Sequence, residues 1–248
     1  MGAGTMMLTC ENVTRKFGGL WALAGVDLSV AEGEIVGLVG PNGSGKSTLI
    51  NVISGYYAPN AGRISFREHD ITAKAPHWIT GLGIARTYQI PRPFHTMTAL
   101  ENVAVGCMFG RSRDSVAEAR EHARHWLEIT GLGHCADAPV EKLTLHQRRF
   151  LELARALASG ADLLLLDEVL AGLNPTEIEI SMDRIRGIHE RGVSILIVEH
   201  IMRAVVSLSQ RLVVLDQGQV IAEGVSQQVM RDPAVIGAYL GKDYARDH

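Results

Sequence analysis

The 248-residue sequence predicts an α/β protein with a parallel β-sheet at its core. Short aliphatic runs alternate with stretches of helical periodicity, and continuous apolar runs are typical of strands covered on both faces. The composition, 46% hydrophobic and 21% charged, suits one sizeable domain with a subdomain. We expect a single domain over 1–248, with an antiparallel N-terminal β-subdomain, a helical subdomain inserted at about 91–159 and a C-terminal extension at about 226–248.

Four continuous apolar runs predict the buried strands of that sheet. They are Ile35–Val39, Leu163–Leu166, Ser194–Val198 and Leu212–Leu215. Upstream of these runs, the N-terminal stretch Leu8–Val30 predicts antiparallel strands, with turns at Gly18–Gly19 and at 31–33.

Helical signals fill much of the remaining chain. The stretch Asp114–Ile129 is amphipathic, and Arg148–Ser159 predicts another helix. A further helix opens with the sequence Asn-Pro-Thr-Glu at 174–177. Its asparagine can cap the helix, proline suits the first helical position, and the glutamate completes a capping box. The helix-rich residues at about 91–159 interrupt the α/β pattern, so we assign them to an inserted subdomain.

Charge, cysteines and hydropathy exclude several classes of protein. The net charge of −3 gives no positive field that would attract nucleic acid, so we expect no nucleic-acid partner. Cys10, Cys107 and Cys135 form no CxxC pair, which indicates neither a zinc site nor a disulfide framework. We expect no signal peptide and no membrane span, because no run approaches the ~20 apolar residues that cross a bilayer. If the protein serves a membrane process, another chain must do the spanning.

A glycine-rich turn follows the first predicted core strand. Residues 40–47 match the pattern G-x-x-x-x-G-K-[ST] in full. In this pattern backbone N–H groups surround phosphate oxygens, the lysine reaches the β- and γ-phosphates, and the hydroxyl of Ser47 ligates Mg²⁺. The strand and the helix that the motif requires are both predicted, so we expect a P-loop NTPase core that binds ATP and Mg²⁺. The predicted nucleotide-binding residues of this loop are Gly40, Pro41, Asn42, Gly43, Ser44, Gly45, Lys46, Ser47 and Thr48.

Two acidic residues, Asp167 and Glu168, follow a run of four leucines. A buried strand that ends in carboxylates can deliver them to the mouth of the sheet. In a nucleotide site, Asp167 would hold Mg²⁺ through water and Glu168 would act as the general base on the attacking water. A solvated strand end is the alternative, and the phosphate loop favours the catalytic interpretation.

With these motifs in this order, the chain resembles the ATP-binding cassette (ABC) family, and the resemblance implies further site residues. Gln89 matches the glutamine that contacts Mg²⁺ or the attacking water and couples to the membrane subunit. His200 matches the histidine that contacts the γ-phosphate, Asn174 stands where the D-loop aspartate is usual, and Phe17 matches the aromatic that stacks on adenine. Standing alone, Gln89 would be a surface glutamine, His200 a structural histidine and Phe17 a core residue.

Within that family the chain most resembles the larger ATPase subunit of branched-chain amino acid importers. The shared segments lie at 83–89, 91–94, 98–103, 171–177 and 232–241. The resemblance implies three partners: transmembrane permease subunits, a second and different ATPase chain that completes an ATP-sandwich dimer, and, indirectly, a periplasmic or extracellular solute-binding protein. It also implies a peripheral location at the cytoplasmic face of the inner membrane. Related systems move urea, amides and small carboxylates, so these substrates stay open.

The signature loop departs from the family's Leu-Ser-Gly-Gly-Gln. Here it reads Leu143, Thr144, Leu145, His146 and Gln147, and both glycines are missing. In the family this loop clamps the γ-phosphate that the opposite subunit holds. The Thr144 hydroxyl and the N–H groups of the following helix can still face an anion, while His146 can either donate a hydrogen bond or block close approach. We therefore expect this chain to clamp its partner's ATP poorly or in an altered way.

Three alternatives belong to other classes. A soluble cassette ATPase of DNA repair carries a long coiled-coil or zinc-bearing insertion, and a translation-type protein carries two cassettes. This chain has one cassette, a compact helical stretch and no CxxC pair. A P-loop kinase or GTPase would lack Glu168 directly after Asp167. We predict ATP hydrolysis that drives solute import, through nucleotide-driven dimer closure and in-line attack of water on the γ-phosphate.

Overall fold

The computed structural model of the protein describes residues 5–240. The chain falls into two compact units, which are described separately. The first unit comprises Met1–Pro76 and Ser194–His248, and the second comprises His77–Val193. Of the predicted C-terminal extension at about 226–248, residues 241–248 lie outside the described residues, as do residues 1–4 at the other end.

The strands, in chain order, are β1 (Met6–Phe17), β2 (Leu20–Ala31), β3 (Ile35–Val39), β4 (Ala61–Phe66), β5 (His69–Asp70), β6 (Ile84–Arg86), β7 (Leu163–Asp167), β8 (Ser194–Val198), β9 (Arg211–Asp216) and β10 (Gln219–Val225). The helices are α1 (Lys46–Ile53), α2 (Pro76–Leu82), α3 (Ala99–Phe109), α4 (Val116–Ile129), α5 (Leu145–Ala158), α6 (Pro175–His189), α7 (Met202–Leu208), α8 (Ser226–Val229) and α9 (Pro233–Leu240). The predicted core strands are present with ends that differ by at most one residue.

The first unit opens with an antiparallel sheet in the order β2-β1-β4-β5. β1 and β2 form the hairpin expected within Leu8–Val30. It turns at Gly18, whose φ of 55° lies in the left-handed region that glycine adopts without strain. Several register shifts interrupt the β1–β2 pairing, and such bulges increase the local twist.

A parallel layer in the first unit has β3 between β8 and β9. β3 and β8 are buried along their whole length, as their continuous apolar runs predict. β10 pairs antiparallel with β9. A core cluster joins the end of β3 to the C-terminal helices, and its buried members are Val39, Val205, Leu212, Val214, Val229 and Val235.

In the second unit, β6 pairs in parallel with β7, and helices α3, α4 and α5 pack against one another. The three helices begin with capping boxes at Thr98, Ser115 and Thr144. In each box the hydroxyl accepts from the third helical N–H while the side chain at that position accepts from the cap's own N–H. These paired hydrogen bonds fix where each helix starts.

The start of α5 corrects one prediction. We expected a helix over Arg148–Ser159, but α5 begins at Leu145, because Thr144 and Gln147 form the capping box. The residues predicted to form a signature loop therefore lie in the cap and first turn of a helix. The helical subdomain predicted at about 91–159 falls inside the second unit, and its boundaries stay a prediction.

Among residues 5–240, no helix combines the length and the apolar character needed to cross a membrane.

Candidate nucleotide-binding site

The predicted phosphate loop, Gly40–Thr48, joins the buried strand β3 to α1. Two of its glycines are required by space as well as by conformation. A Cβ on Gly40 would overlap the carbonyl oxygen of Leu215, and one on Gly45 would lie 2.5 Å from the carbonyl oxygen of Ala22. Their φ values, 145° and 112°, also favour glycine. No side chain caps the start of α1, and the first N–H groups of a helix are groups that can bind an anion.

Lys46, the first residue of α1, is buried, and its ammonium group folds back over the loop. Its Nζ donates to the carbonyl oxygens of Gly40 (2.7 Å) and Pro41 (2.9 Å) and lies 3.4 Å from the Ser44 hydroxyl. A cation held this way can exchange the carbonyl oxygens for phosphate oxygens, with which it forms stronger, charge-assisted hydrogen bonds. Ser47, the predicted metal ligand of the loop, is exposed next to it.

Phe17, the predicted adenine platform, is partly exposed at the end of β1 and belongs to a group of three side chains. The Tyr57 ring meets it edge-on at 5.1 Å, and the Arg15 guanidinium lies 4.7 Å from its centroid. Arg15 is itself held by a 2.7 Å hydrogen bond to the carbonyl oxygen of Ala58. Neither Arg15 nor Tyr57 was predicted, because nothing in their local spacing marks them as neighbours of Phe17. A planar base or the guanidinium can each stack on this ring.

In the second unit, the structure brings Gln89 and Glu168 together although they lie 79 residues apart. Gln89 Nε2 donates to Glu168 Oε2 at 2.6 Å. Glu168 also has a φ of 53°, a left-handed conformation that is uncommon outside glycine. The predicted general base is thus held by both its backbone and its side-chain partner.

Asp167, at the end of β7, is buried beside two residues that the sequence analysis did not single out. Its Oδ2 lies 3.7 Å from Arg86 Nη2, and its backbone N–H donates to the Thr87 hydroxyl at 3.2 Å. Burial lowers the pKa of Arg86 from its ordinary value, while the negative charges of Asp167 and Glu152 oppose that shift. The cation stabilises the ionised form of Asp167, which is the form that binds a metal.

The predicted signature residues take up distinct positions at the start of α5. Thr144 Oγ1 accepts from Gln147 N–H at 3.2 Å, and Gln147 Oε1 accepts from Thr144 N–H at 2.9 Å. The His146 ring turns toward α6, where its Nε2 lies 3.3 Å from the hydroxyl of Ser181, and it packs edge-on against Phe150 at 4.8 Å. Leu145 is the exposed member, at 59%. The bulk at this helix start therefore comes from Leu145 rather than from His146.

The remaining two predicted site residues, Asn174 and His200, lie just before helices α6 and α7. Asn174 caps α6 in a full capping box with Glu177, as predicted. Arg149 donates to the carbonyl oxygen of Ala171, in the segment just before that cap. His200 follows the buried strand β8 and is exposed just before α7.

The donor set predicted for Mg²⁺ consists of oxygen atoms: a serine hydroxyl, a glutamine carbonyl and a carboxylate. Hard divalent cations prefer such ligands, and the buried Asp167 side chain offers carboxylate oxygens of this kind. Residues 5–240 contain no group of three or more His, Cys, Asp or Glu side chains placed to hold a metal ion.

The strand–loop–helix around Lys46 and the Gln89–Glu168 pair define a class, the nucleotide-binding cassettes. The ABC transporter family profile matches residues 23–171, and a profile described as branched-chain amino acid ATP-binding cassette transporter matches residues 219–245. The chain belongs to the ABC transporter family. It is the ATP-binding, ATP-hydrolysing kind of subunit in that family. The DNA-repair and translation alternatives are not favoured.

Relatives and solved structures match over nearly the whole chain. The probable branched-chain amino acid transport ATP-binding protein LivG of Archaeoglobus fulgidus is 39% identical, over 95% of this chain and 95% of its own. The high-affinity branched-chain amino acid transport ATP-binding protein BraF of Pseudomonas aeruginosa is 38% identical, over 95% and 98%. A solved ATP-binding cassette of an ABC transporter, in its ADP conformation, has a TM-score of 0.85 at 34% identity, over 95% of this chain and 99% of that one.

Proposed function

We propose that this chain hydrolyses ATP to drive the import of branched-chain or closely related amino acids. The observation that carries the proposal is the C-terminal match at 219–245 to a branched-chain amino acid cassette profile, because this segment lies beyond the ABC transporter match at 23–171. The full-length similarity to LivG and BraF supports the same substrate class. Urea, amides and small carboxylates are the competing substrates.

In the proposed reaction, the phosphate loop binds the nucleotide and Phe17 stacks on adenine. Lys46 exchanges its hydrogen bonds to Gly40 and Pro41 for bonds to the phosphates. Mg²⁺, when bound through Ser47, Gln89 and Asp167, would neutralise charge on the phosphates.

We assign the role of general base to Glu168. Its carboxylate takes a proton from the attacking water, and Gln89, at 2.6 Å, orients that carboxylate. His200 is assigned to the γ-phosphate. These roles require the attacking water to lie in line with the bond between the γ-phosphate and its leaving oxygen. Phosphoryl transfer is catalysed mainly by such positioning together with electrostatic stabilisation of the phosphate charge.

We also propose that the chain works in an ATP-sandwich dimer with a different ATPase chain, docked on permease subunits at the cytoplasmic face of the inner membrane. A groove of about 310 Å³ in the second unit supports docking. It is lined in part by Phe94 and by Phe109, which is 80% exposed. Glu152 accepts from the backbone N–H of Tyr88 (2.9 Å) and Arg92 (3.2 Å), which ties the residues flanking Gln89 to α5. A permease segment bound in this groove would therefore contact Tyr88 and Glu152, the hydrogen-bonded pair next to Gln89.

The experiment is a transport assay on the purified complex in proteoliposomes, with its solute-binding protein outside. ATP hydrolysis should rise on addition of leucine, isoleucine or valine and should not rise with urea, acetamide or succinate. Lys46→Ala should bind ATP weakly and abolish both hydrolysis and uptake, because the phosphates lose their buried cation. Stimulation by urea or succinate in place of the branched-chain amino acids would reassign the substrate. Normal turnover in Lys46→Ala would refute the loop assignment.

A further inference from the structure

Residues 55–60 form a connecting segment that is hydrogen-bonded to elements on both sides of it. At one end, the backbone N–H of Tyr57 donates to the carbonyl oxygen of Asn51 in α1, at 3.2 Å. At the other end, the side-chain oxygen of Asn60 accepts from the backbone N–H of Lys16 in β1, at 2.8 Å. Since α1 begins in the phosphate loop and β1 ends at the predicted adenine platform, this segment joins the two parts of the predicted nucleotide site.

Arg15 connects this segment to the platform residue, Phe17. Its Nη1 donates to the carbonyl oxygen of Ala58 at 2.7 Å. Its guanidinium carbon lies 4.7 Å from the centre of the Phe17 ring and 5.1 Å from the centre of the Tyr57 ring. Arg15 Nε is buried and has no hydrogen-bond partner among the described residues. The guanidinium is therefore held by the Ala58 carbonyl and by two aromatic rings.

Arg15 and Tyr57 cover the same side of Phe17. The centres of the Phe17 and Tyr57 rings are 5.1 Å apart, so these two rings and the guanidinium stand at the corners of a nearly equilateral triangle. In such a triangle, two corners approach the third from one side. Phe17 keeps 39% of its surface exposed, and the side that neither Arg15 nor Tyr57 covers can receive a planar base.

We propose that Arg15 is a positioning residue for the nucleotide base, whose guanidinium, together with Tyr57, holds Phe17 in the orientation that stacks on adenine. The inference rests on the proposed role of Phe17 as the adenine platform. A guanidinium against an aromatic ring is attracted to the π electrons, so the Phe17 ring is restrained before the base binds. A preorganised ring loses less rotamer freedom on binding, which raises affinity for the base and leaves affinity for the phosphates unchanged.

The test is Arg15→Met in the full chain, since this change removes the cation and keeps much of the bulk. Calorimetry gives the Kd for ADP, which has no γ-phosphate to hydrolyse, and for ribose 5′-diphosphate, which lacks the base. We expect the Kd for ADP to rise about threefold to tenfold and the Kd for ribose 5′-diphosphate to change by less than about twofold. Arg15→Lys keeps a cation against the ring and should lose less ADP affinity. Arg63→Met, at an exposed arginine of β4, is the control and should change neither Kd.

An equal rise of both Kd values in Arg15→Met would indicate a general disturbance of the fold and overturn the proposal. Arg15→Lys as weak for ADP as Arg15→Met would also overturn it, because the cation would then not matter. If Arg15→Met does not fold, Tyr57→Leu, which removes the second ring, decides by the same two Kd values. The two levels of proposal fail separately. An unchanged Kd for ADP in Phe17→Ala would refute the adenine platform, whereas a raised Kd in Phe17→Ala beside an unchanged one in Arg15→Met would refute only the role of Arg15.

Discussion

At the scale of single residues, Glu168 combines a strained backbone with a restrained side chain. A left-handed non-glycine residue costs on the order of 1 kcal/mol or more, and such costs are concentrated where function needs a fixed geometry. The 2.6 Å bond from Gln89 removes rotamer freedom that a glutamate otherwise keeps. Both features hold the carboxylate in one place before water arrives.

We expect Glu168→Gln to bind ATP normally but to hydrolyse it at least ~100-fold more slowly, because the base is removed while the shape is kept. ATP-dependent dimerisation, followed by light scattering, should persist in this variant. Glu121→Gln, an exposed glutamate on α4, is the control and should hydrolyse ATP at the parent rate. Parent-rate turnover in Glu168→Gln would remove Glu168 from the role of base.

His146 and His122 should give opposite pH dependences of folding stability. Burial lowers the pKa of His146, so protons bind better to the unfolded state. Its contribution is present above the ordinary value of 6.5 and is lost as pH falls below it. The Asp114 carboxylate, 2.6 Å from His122 Nδ1, raises the pKa of His122. That contribution is present below 6.5 and is lost as pH rises through the raised value.

Urea unfolding at pH 5.5 and 7.5 checks both signs. The stability of the parent relative to His146→Gln should decrease on acidification, whereas relative to His122→Gln it should increase. The two variants differ only in which histidine is replaced, so each serves as the control for the other. The same sign for both would contradict the inward orientation of His146 toward Ser181.

At the scale of elements, the start of α5 allows helix capping and the proposed signature role to be tested separately. Ser115→Ala and Thr144→Ala each remove a capping box, so each should lower the free energy of unfolding by about 1 kcal/mol. Only Thr144→Ala should also slow hydrolysis in the dimer, because only Thr144 lies in the predicted signature. Urea unfolding and ATPase rates with the partner chain present measure the two effects. Equal turnover in both variants would leave Thr144 a structural cap alone.

The element scale also shows what local spacing can predict. The Asn174 cap was read correctly because Asn, Pro and Glu follow one another at fixed helical positions. Thr-x-x-Gln at 144–147 is the same kind of signal, and it starts α5 at Leu145, three residues before the predicted Arg148. The start of α5 is therefore also encoded by residues within one helical turn.

At the scale of the whole molecule, the altered signature predicts two unequal sites in a dimer of different ATPases. One site would combine this chain's phosphate loop and Glu168 with the partner's signature loop. The other site would combine the partner's phosphate loop with this chain's altered signature, which contains Leu145 and His146. A dimer of this chain alone would have the altered signature twice. We therefore expect slow hydrolysis by the isolated chain and faster turnover per phosphate loop when the partner is added.

Single substitutions separate the effects of Leu145 and His146, the two residues that replace the signature glycines. Leu145→Gly should raise the rate of the isolated chain, because Leu145 is the exposed residue at the helix start. His146→Gly should raise it less and lower stability, because it breaks the contacts with Ser181 and Phe150. Steady-state ATPase rates and urea midpoints are the measurements. Equal rates for the parent alone, the parent with partner and Leu145→Gly would show that the signature change is neutral.

The sequence by itself determined the core strands, the phosphate loop and the Asn174 helix cap. Each of these depends on residues within one turn or one strand: apolar runs favour burial, glycines at 40 and 45 permit the loop, and a capping box spans four positions. The roles of Asp167 and Glu168 were also inferred from their place after a buried run. Such signals are local, so they can be read without knowing the tertiary structure.

Only the tertiary structure decided which distant side chains meet. It placed Gln89 on Glu168 across 79 residues and turned His146 onto Ser181. No pattern in the sequence encodes these pairs, because each depends on how separate elements pack and not on spacing along the chain. The physical reason is that strand and helix formation follow from nearby residues, whereas hydrogen-bond partners across elements are chosen by the packed core that holds those elements together.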